Sequence, residues 1–386
     1  GARACGHDAG GRSPARGGGE PRGAGARGKG DLDGALQAYE AARGLLQSVR
    51  ARRPHDAHAL GLAADAHNDV GRVLFGLGRP ADAATAHTAA LEASTASALP
   101  GRDPLFARAK SSMYLGRAKE ALGALDEAEA SFRRNLELAR RLHADFPQDL
   151  ELEDYLAISL NDLARVLRLE GRPAETEPLA EEALRFSEAA LARDPGNALR
   201  IDGLSASHAS LGRAREALGK LDGALAEFEA DVKLTEGLLA KEPDNAFAQA
   251  ALADGLTNLG RVERKRGRPV EARRAHERAL ALREGLAAKD ESFLPDVGVS
   301  QLELGRVEKL ERRDGRARLE QALALFQKLA GAADAPAKQR GRLAQVLLEL
   351  GRVDEARPLV TALLDAGAAD AELRALWDEQ TRTGGR

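Results

Sequence analysis

The chain has 386 residues, of which 43% are hydrophobic, 30% are charged and only 3% are aromatic. Its 57 Lys and Arg residues nearly balance its 60 Asp and Glu residues, which argues against a nucleic-acid-binding domain defined by bulk positive charge. A single cysteine excludes an intramolecular disulfide scaffold and a cysteine-rich zinc site. The apolar residues are mostly alanine and leucine, which is typical of closely packed helices.

Residues 1–30 are predicted to form a disordered tail rich in glycine and arginine. They contain 11 of the 40 glycines, and six basic residues against two acidic ones. So little apolar surface cannot offset the entropy that ordering costs. The segment also lacks the apolar run of a secretory signal, and no stretch of 18 apolar residues occurs in the chain. We therefore expect no membrane span and a cytoplasmic location.

Two matches to phosphate-binding motifs lie in this tail, at residues 23–28 and 23–29. Neither follows a strand, and the second has Gly30 where a serine or threonine is required. Glycine-rich composition produces such matches by chance, so we predict no nucleotide site and no cofactor. Cys5 lies in the same tail without a fixed histidine partner, which argues against a nucleophile.

A repeated motif divides the rest of the chain into units of 45 to 48 residues. A small residue followed by arginine recurs with its small residue at positions 71, 116, 164, 212, 260 and 305. A second glycine stands seven residues after the first five of these, and prolines at 100, 147, 195 and 243 separate consecutive units. Glycine ends helices, and the Asp or Asn after most of these prolines can cap the next one. Each unit therefore predicts two antiparallel helices of roughly 20 residues.

The predicted solenoid covers residues 31–380. It begins with a half unit over 31–53 and continues with six long hairpins over about 56–333. A short terminal unit and a capping helix follow over about 336–380.

Small and aromatic residues recur in register within each unit. Twelve residues after the small residue stand Ala83, Ala128, Thr176, Ala224, Ala272 and Ala317. Four residues further on stand His87, Phe132, Ala180, Phe228, His276 and Gln321. We expect the small residues, Gly260 and Ala272 among them, to let the two helices of a unit approach closely.

This pattern resembles the tetratricopeptide repeat. The resemblance implies an all-α, right-handed superhelical solenoid of antiparallel helix hairpins, whose first helices line a concave groove that binds a protein or peptide. The units lack the family's tryptophan and tyrosine and exceed its usual roughly 34 residues. They are similar to long-helix arrays of bacterial signalling proteins, which often follow a serine/threonine kinase domain.

Two functions are consistent with the sequence. The first is a non-catalytic protein–protein interaction scaffold that binds a peptide or partner helix in the groove. The alternative is the C-terminal sensory or substrate-recruiting region of a multidomain signalling protein, such as a bacterial serine/threonine kinase. We find no kinase, zinc-protease or hydrolase motif in the sequence, so we do not expect this chain to be an enzyme.

The candidate binding residues are the arginines that follow each small residue, with two asparagines four residues earlier on the same helical face. They are Asn68, Arg72, Arg117, Asn161, Arg165, Arg213, Arg261 and Arg306. Such a ladder could bind the carboxylates or phosphates of an extended, acidic partner. It could equally form ion pairs between neighbouring units, and the sequence leaves both interpretations open.

Two further clusters favour structural roles. His55, His58 and His67 lie near one another, but we interpret them as helix-end residues and predict no metal site. The basic run over residues 261–278 is interrupted by glutamates and has no stacking aromatics, so it indicates a salt-bridged helix face and no nucleic-acid site.

Overall fold

The computed structural model describes residues 56–97, 99–330 and 335–383, together with scattered helical residues between 34 and 52. The predicted tail, with Cys5 and both glycine motifs, lies outside these residues, as does His55. Across the described part of the chain the regular structure is helical and contains no strand. The prediction of an all-α solenoid of helix hairpins is therefore confirmed.

The helices pair in sequence into hairpins, numbered I to VII from the one nearest the N-terminus, and a last helix follows. Hairpins I to IV comprise α1 (Ala57–Gly76) and α2 (Pro80–Ser97), α3 (Arg102–Ala121) and α4 (Leu125–Asp145), α5 (Leu150–Leu169) and α6 (Pro173–Arg193), and α7 (Ala198–Ala217) and α8 (Leu221–Lys241). Hairpins V to VII comprise α9 (Ala246–Lys265) and α10 (Pro269–Ala287), α11 (Leu294–Leu310) and α12 (Arg316–Ala330), and α13 (Ala337–Glu349) and α14 (Val353–Asp365). The last helix is α15 (Ala371–Thr383).

The helix ends follow the predicted capping residues. Asp149 and Asn197 cap α5 and α7, each accepting hydrogen bonds from two backbone N–H groups of the first turn. Asn245 caps α9 in the same way through one N–H group. At the other ends, Gly171 adopts a left-handed φ of 80°, which a side chain would disfavour. Pro173 then begins α6, where its fixed φ suits the first turn.

The small glycines of hairpins I, II, IV and V lie directly beneath a ring of the second helix. A Cβ placed on Gly116 would lie 2.7 Å from the Phe132 ring, and one on Gly260 would lie 2.6 Å from the His276 ring. Both rings are fully buried. The close approach predicted from the sequence is confirmed, since these contacts leave no room for a side chain.

Hairpin VI departs from the predicted register. We expected Ala317 and Gln321 in the small and aromatic positions, but Ala317 is exposed and Leu319 contacts Gly305 in place of Gln321. Gly315 takes the small position, because a Cβ there would lie 2.3 Å from the Gly305 carbonyl oxygen. The prediction was wrong because the small position follows the left-handed residue by three residues here and by five in the other hairpins, as from Gly78 to Ala83. Its left-handed residue is Arg312, with a φ of 57°.

The first helices of most consecutive hairpins contact one another, whereas no two second helices among the described hairpins approach to a similar extent. Elements on the inside of a coil lie closer together than those on the outside. The odd-numbered helices therefore form the inner surface of the superhelix, and the even-numbered helices form its outer surface. None of the described helices combines the length and apolar character needed to cross a membrane.

Candidate functional site

The candidate site is the inner surface near the C-terminal ends of the first helices, where the ladder arginines lie. Each arginine directly follows the small residue that packs beneath the second helix, so its side chain extends from the adjacent face. The structure shows most of these arginines in contact with first helices of neighbouring hairpins. The contacts differ from one junction to the next.

Hairpins II and III are joined by a chain of alternating charges. Arg117 of α3 donates to Asp162 of α5 through Nη2 at 2.9 Å. Arg165 of α5 pairs with the same aspartate at 2.8 Å and with Glu120 of α3. Burial by itself would raise the pKa of Asp162, but Arg117 and Arg165 hold that pKa below its usual range. The aspartate is therefore charged at neutral pH and links the two helices.

Hairpins IV and V are joined in the same way. Arg261 of α9 binds Glu216 of α7 with both Nε, at 2.8 Å, and Nη2, at 2.7 Å. Arg213 donates to Asn258 of α9 at 3.3 Å. Burial would raise the pKa of Glu216, yet Arg261 and Lys265 lower it to about 2. A bidentate pair of this kind is stronger and more directional than a single ion pair.

Arg306 of α11 binds three glutamates and is the most enclosed arginine of the ladder, with 7% of its side chain exposed. It pairs with Glu303 of its own helix at 2.7 Å, with Glu349 of α13 at 2.8 Å and with Glu372 of α15 at 2.8 Å. These bonds satisfy most of its guanidinium. The residue thus joins α11, α13 and α15.

The N-terminal members of the ladder are less uniform. Arg72 is half-exposed, 3.4 Å from Asp69, and its guanidinium lies 5.9 Å from the centre of the Tyr114 ring. Asn68 is buried, and its amide donates to Ser111 of the next hairpin at 2.8 Å. Asn161 donates to Ser207 at 2.9 Å. Both asparagines therefore bond to the neighbouring first helix, and a ligand contact for any ladder residue stays a prediction.

Sequence reasoning missed Arg168, which lies one helical turn after Arg165 on α5. Its side chain is half-buried and makes no hydrogen bond or ion pair with any residue that the structure describes. Burial and then the charges of Arg213 and Arg261 lower the pKa of Arg168 to about 10. Asp370, before α15, is the carboxylate that counters this effect. The sequence signal was the spacing of three residues from Arg165, which places both arginines on one face.

Carboxylates lie on the same helix faces, nearer the start of the first helices. Asp202 precedes Arg213 by 11 residues, or about three turns, and Asp154 precedes Arg165 by the same interval. Burial raises the pKa of Asp202 to about 6, and no described residue pairs with it. Asp154 accepts a hydrogen bond from Arg200 at 3.3 Å. The inner surface therefore has an acidic region and, further along each helix, an arginine-rich region.

The histidine cluster can be followed only in part, because His55 lies outside the described residues. Within the described ranges no group of three or more His, Cys, Asp or Glu side chains could hold a metal ion. Residues of the basic run pair with carboxylates of neighbouring helices: Arg266 with Asp222 at 2.8 Å, and Arg278 with Glu236 at 2.9 Å.

Comparisons with known proteins agree with this architecture. Residues 156–195 and 252–287, in hairpins III and V, match the sequence profile of the family described as tetratricopeptide repeat. A comparison with curated proteins gives no significant match.

Three solved structures illustrate the similarity. BtubC (BKLC) from P. vanneervenii is 17% identical with a TM-score of 0.50, over 66% of this chain and 92% of that one. The apo form of RapI is 14% identical with a TM-score of 0.49, over 82% and 99%. TTC0263, a thermophilic TPR protein of Thermus thermophilus, is 23% identical with a TM-score of 0.34, over 62% and 99%. The two profile matches and the repeat register show that the chain contains tetratricopeptide-type repeats, arranged in a helix-hairpin solenoid similar in fold to that of BtubC.

Proposed function

We propose that this chain is a non-catalytic scaffold whose inner surface binds a peptide or helix of a partner protein through an acidic group at Arg168. The observation that carries the proposal is the lack of a hydrogen-bond or ion-pair partner for that arginine among the described residues. The ladder arginines around it have carboxylate or amide partners on neighbouring helices, whereas Arg168 has no such bond among the described residues.

A carboxylate or phosphate of the partner would meet a favourable environment there. The planar guanidinium offers two parallel N–H donors to such a group. Arg213 and Arg261 add positive charge nearby, which already disfavours the protonated state of Arg168 and which an anion would neutralise. Because the site lies between helices, water screens this attraction less than on an open surface.

The acidic region of the inner surface, at Asp202, favours a partner that also carries a basic residue. Asp202 is the repeat equivalent of Asp154, which precedes Arg168 by 14 residues, or roughly 21 Å along the helix axis. An extended peptide covers that distance in about six residues. The partner that fits this surface therefore presents an acidic residue for Arg168 and a basic residue for Asp202, on a segment of about that length.

Substitution of Arg168 tests the proposal more cleanly than substitution of the ladder. Arg165→Glu would place a third carboxylate beside Glu120 and Asp162 and would weaken the link between hairpins II and III. Arg168→Glu breaks no bond to a described residue. Arg141→Glu is the matched control, because Arg141 lies on the second helix α4 with 69% of its side chain exposed.

The experiment uses the full chain as bait to isolate a partner, and then measures the dissociation constant for each variant by titration calorimetry. We expect Arg168→Glu to weaken binding by about tenfold or more, which corresponds to at least about 1.4 kcal/mol, and Arg141→Glu to leave it nearly unchanged. Circular dichroism checks that both variants keep the helical fold. Equal affinities for the two variants would exclude Arg168 as the anchor.

A further inference from the structure

The C-terminal end of the array touches hairpins II and III, 200 or more residues earlier in the chain. A Cβ placed on Gly123, in the turn between α3 and α4, would lie 2.4 Å from Ala368 Cβ and 3.3 Å from Ala337 Cβ. A Cβ on Gly171, in the turn between α5 and α6, would lie 3.5 Å from Ala371 Cβ. The corresponding Gly219 has nothing within 4 Å. The superhelix therefore closes on itself at these turns.

The segment that makes this contact is acidic and faces inner arginines. Asp370 caps α15, accepting from the Leu373 N–H at 2.8 Å, and its charge acts on Arg168. Two residues later, Glu372 pairs with Arg306 at 2.8 Å and interacts electrostatically with Arg261. The chain's own helix start thus places two carboxylates against the arginine-rich region of the inner surface.

We infer that residues 366–373 form a latch that competes with the partner for this region. The latch fills the approach to Arg168 from hairpin VII, so an acidic partner binds only when the latch separates from the turns at Gly123 and Gly171. The latch also specifies the acidic end of that partner segment: a helix start with an acidic capping residue and a second acidic residue two positions later. The inference rests on the proposed binding of an acidic group at Arg168.

The contacts at the latch suggest a matched pair of variants. Gly123→Gln forces a side chain into the space that Ala368 occupies, whereas Gly219→Gln adds the same side chain where the space is open. Both glycines are left-handed, with φ of 80° and 74°, so the backbone strain of the two variants is comparable. Asp370→Asn is a second, milder variant, because asparagine still caps α15 but no longer carries the charge that faces Arg168.

The probe is a fluorescein-labelled synthetic peptide with the sequence of residues 366–383, titrated into the full chain and followed by fluorescence anisotropy. Small-angle X-ray scattering measures the radius of gyration of each variant. If the open form of the wild type is populated to about a tenth or less, Gly123→Gln should bind the peptide about tenfold more tightly than wild type or Gly219→Gln does. Gly123→Gln should also have a larger radius of gyration than either of them. Asp370→Asn should also bind more tightly. A peptide with Asn and Gln in place of its two latch carboxylates should not bind.

The possible outcomes distinguish failure of the latch inference from failure of the proposed binding function. Tighter binding by Gly123→Gln and Asp370→Asn, abolished by adding Arg168→Glu, supports the inference. Equal affinities for wild type, Gly123→Gln and Asp370→Asn overturn competition by the latch, while leaving the binding function in place if Arg168→Glu still weakens the peptide. If Gly123→Gln has a larger radius of gyration but does not bind the peptide, the array has opened without exposing a binding surface. That outcome overturns the proposed binding at Arg168 and, with it, the competition by the latch.

Discussion

The contact between small residues and rings can be tested by replacing two glycines of hairpin IV with alanine. Gly212 lies in α7 beneath the fully buried ring of Phe228, and a Cβ there would lie 2.5 Å from Cε1 of the ring. Gly237 lies in α8, is exposed, and has nothing within 4 Å of the corresponding Cβ position. The two variants therefore share one chemical change and differ in the space that receives it.

The expected free energies of unfolding have opposite signs. Alanine in a helix is more favourable than glycine by roughly 0.5–1 kcal/mol, so Gly237→Ala should stabilise the protein by about that amount. Gly212→Ala gains the same helix propensity but must displace a buried ring, and overpacking of this kind costs about 1–3 kcal/mol. We expect a net loss of about 1 kcal/mol for Gly212→Ala and a difference between the variants of about 2 kcal/mol.

Urea-induced unfolding, followed by circular dichroism, measures both changes. A double variant sharpens the test, since hairpin III already has alanine at both positions, Ala164 and Ala180, each fully buried. Phe228→Ala alone should cost about 3–5 kcal/mol, and less when Gly212 is also alanine, because the added methyl fills part of the cavity. Our account of the repeat fails if Gly212→Ala stabilises the protein as much as Gly237→Ala does.

Two further predictions concern residues that depart from the repeat. His276 is fully buried, its ring nitrogens bond to no described residue, and burial lowers its pKa to about 4. The unfolded state then binds more protons between pH 6.5 and 4, so stability falls as the pH falls through that range, by up to about 3 kcal/mol. His276→Phe should stabilise the protein and flatten this dependence in urea titrations at pH 7 and pH 4.5, whereas the exposed His58→Phe should do neither. Arg312→Gly should stabilise the protein by about 1 kcal/mol, because Arg312 is exposed with a left-handed φ of 57°. The measurement is the midpoint of thermal unfolding, and an unchanged or lower midpoint would count against backbone strain at this residue.

Much of the fold could be predicted because its determinants are local. Capping residues such as Asp149 and Asn197, and turn glycines such as Gly171, act within a few residues of their own position. Repetition then made each weak signal visible several times. Hairpin VI shows the limit of this reasoning: Arg312 replaces the turn glycine of the other hairpins, and the small position then follows two residues earlier than the repeat predicts.

The binding surface was less predictable because its determinants are not local. The periodic arginines were visible, but their partners are contributed by neighbouring hairpins, as Asp162 is to Arg117. The position of Arg168 is basic in only three of the six units, as Arg168, Arg264 and Lys309, and is Glu120 or Glu216 in two others, so a search for periodicity did not single it out. The contact of Ala368 with Gly123 depends on the accumulated rotation of several hairpins, which no single unit encodes.

The placement of the ion pairs affects how the array responds to force. Bonds such as Arg117–Asp162, Arg261–Glu216 and Arg306–Glu349 join the first helices on the inside of the coil and are partly enclosed. The ion pairs between second helices on the outside, such as Arg140–Glu182 and Arg278–Glu236, are more exposed and therefore weaker. Straightening the coil therefore stretches the inner bonds, whereas tightening it does not. Partly enclosed pairs are weakened by salt, although less than exposed ones. The array should behave as a spring that resists extension more than compression and becomes softer as ionic strength rises.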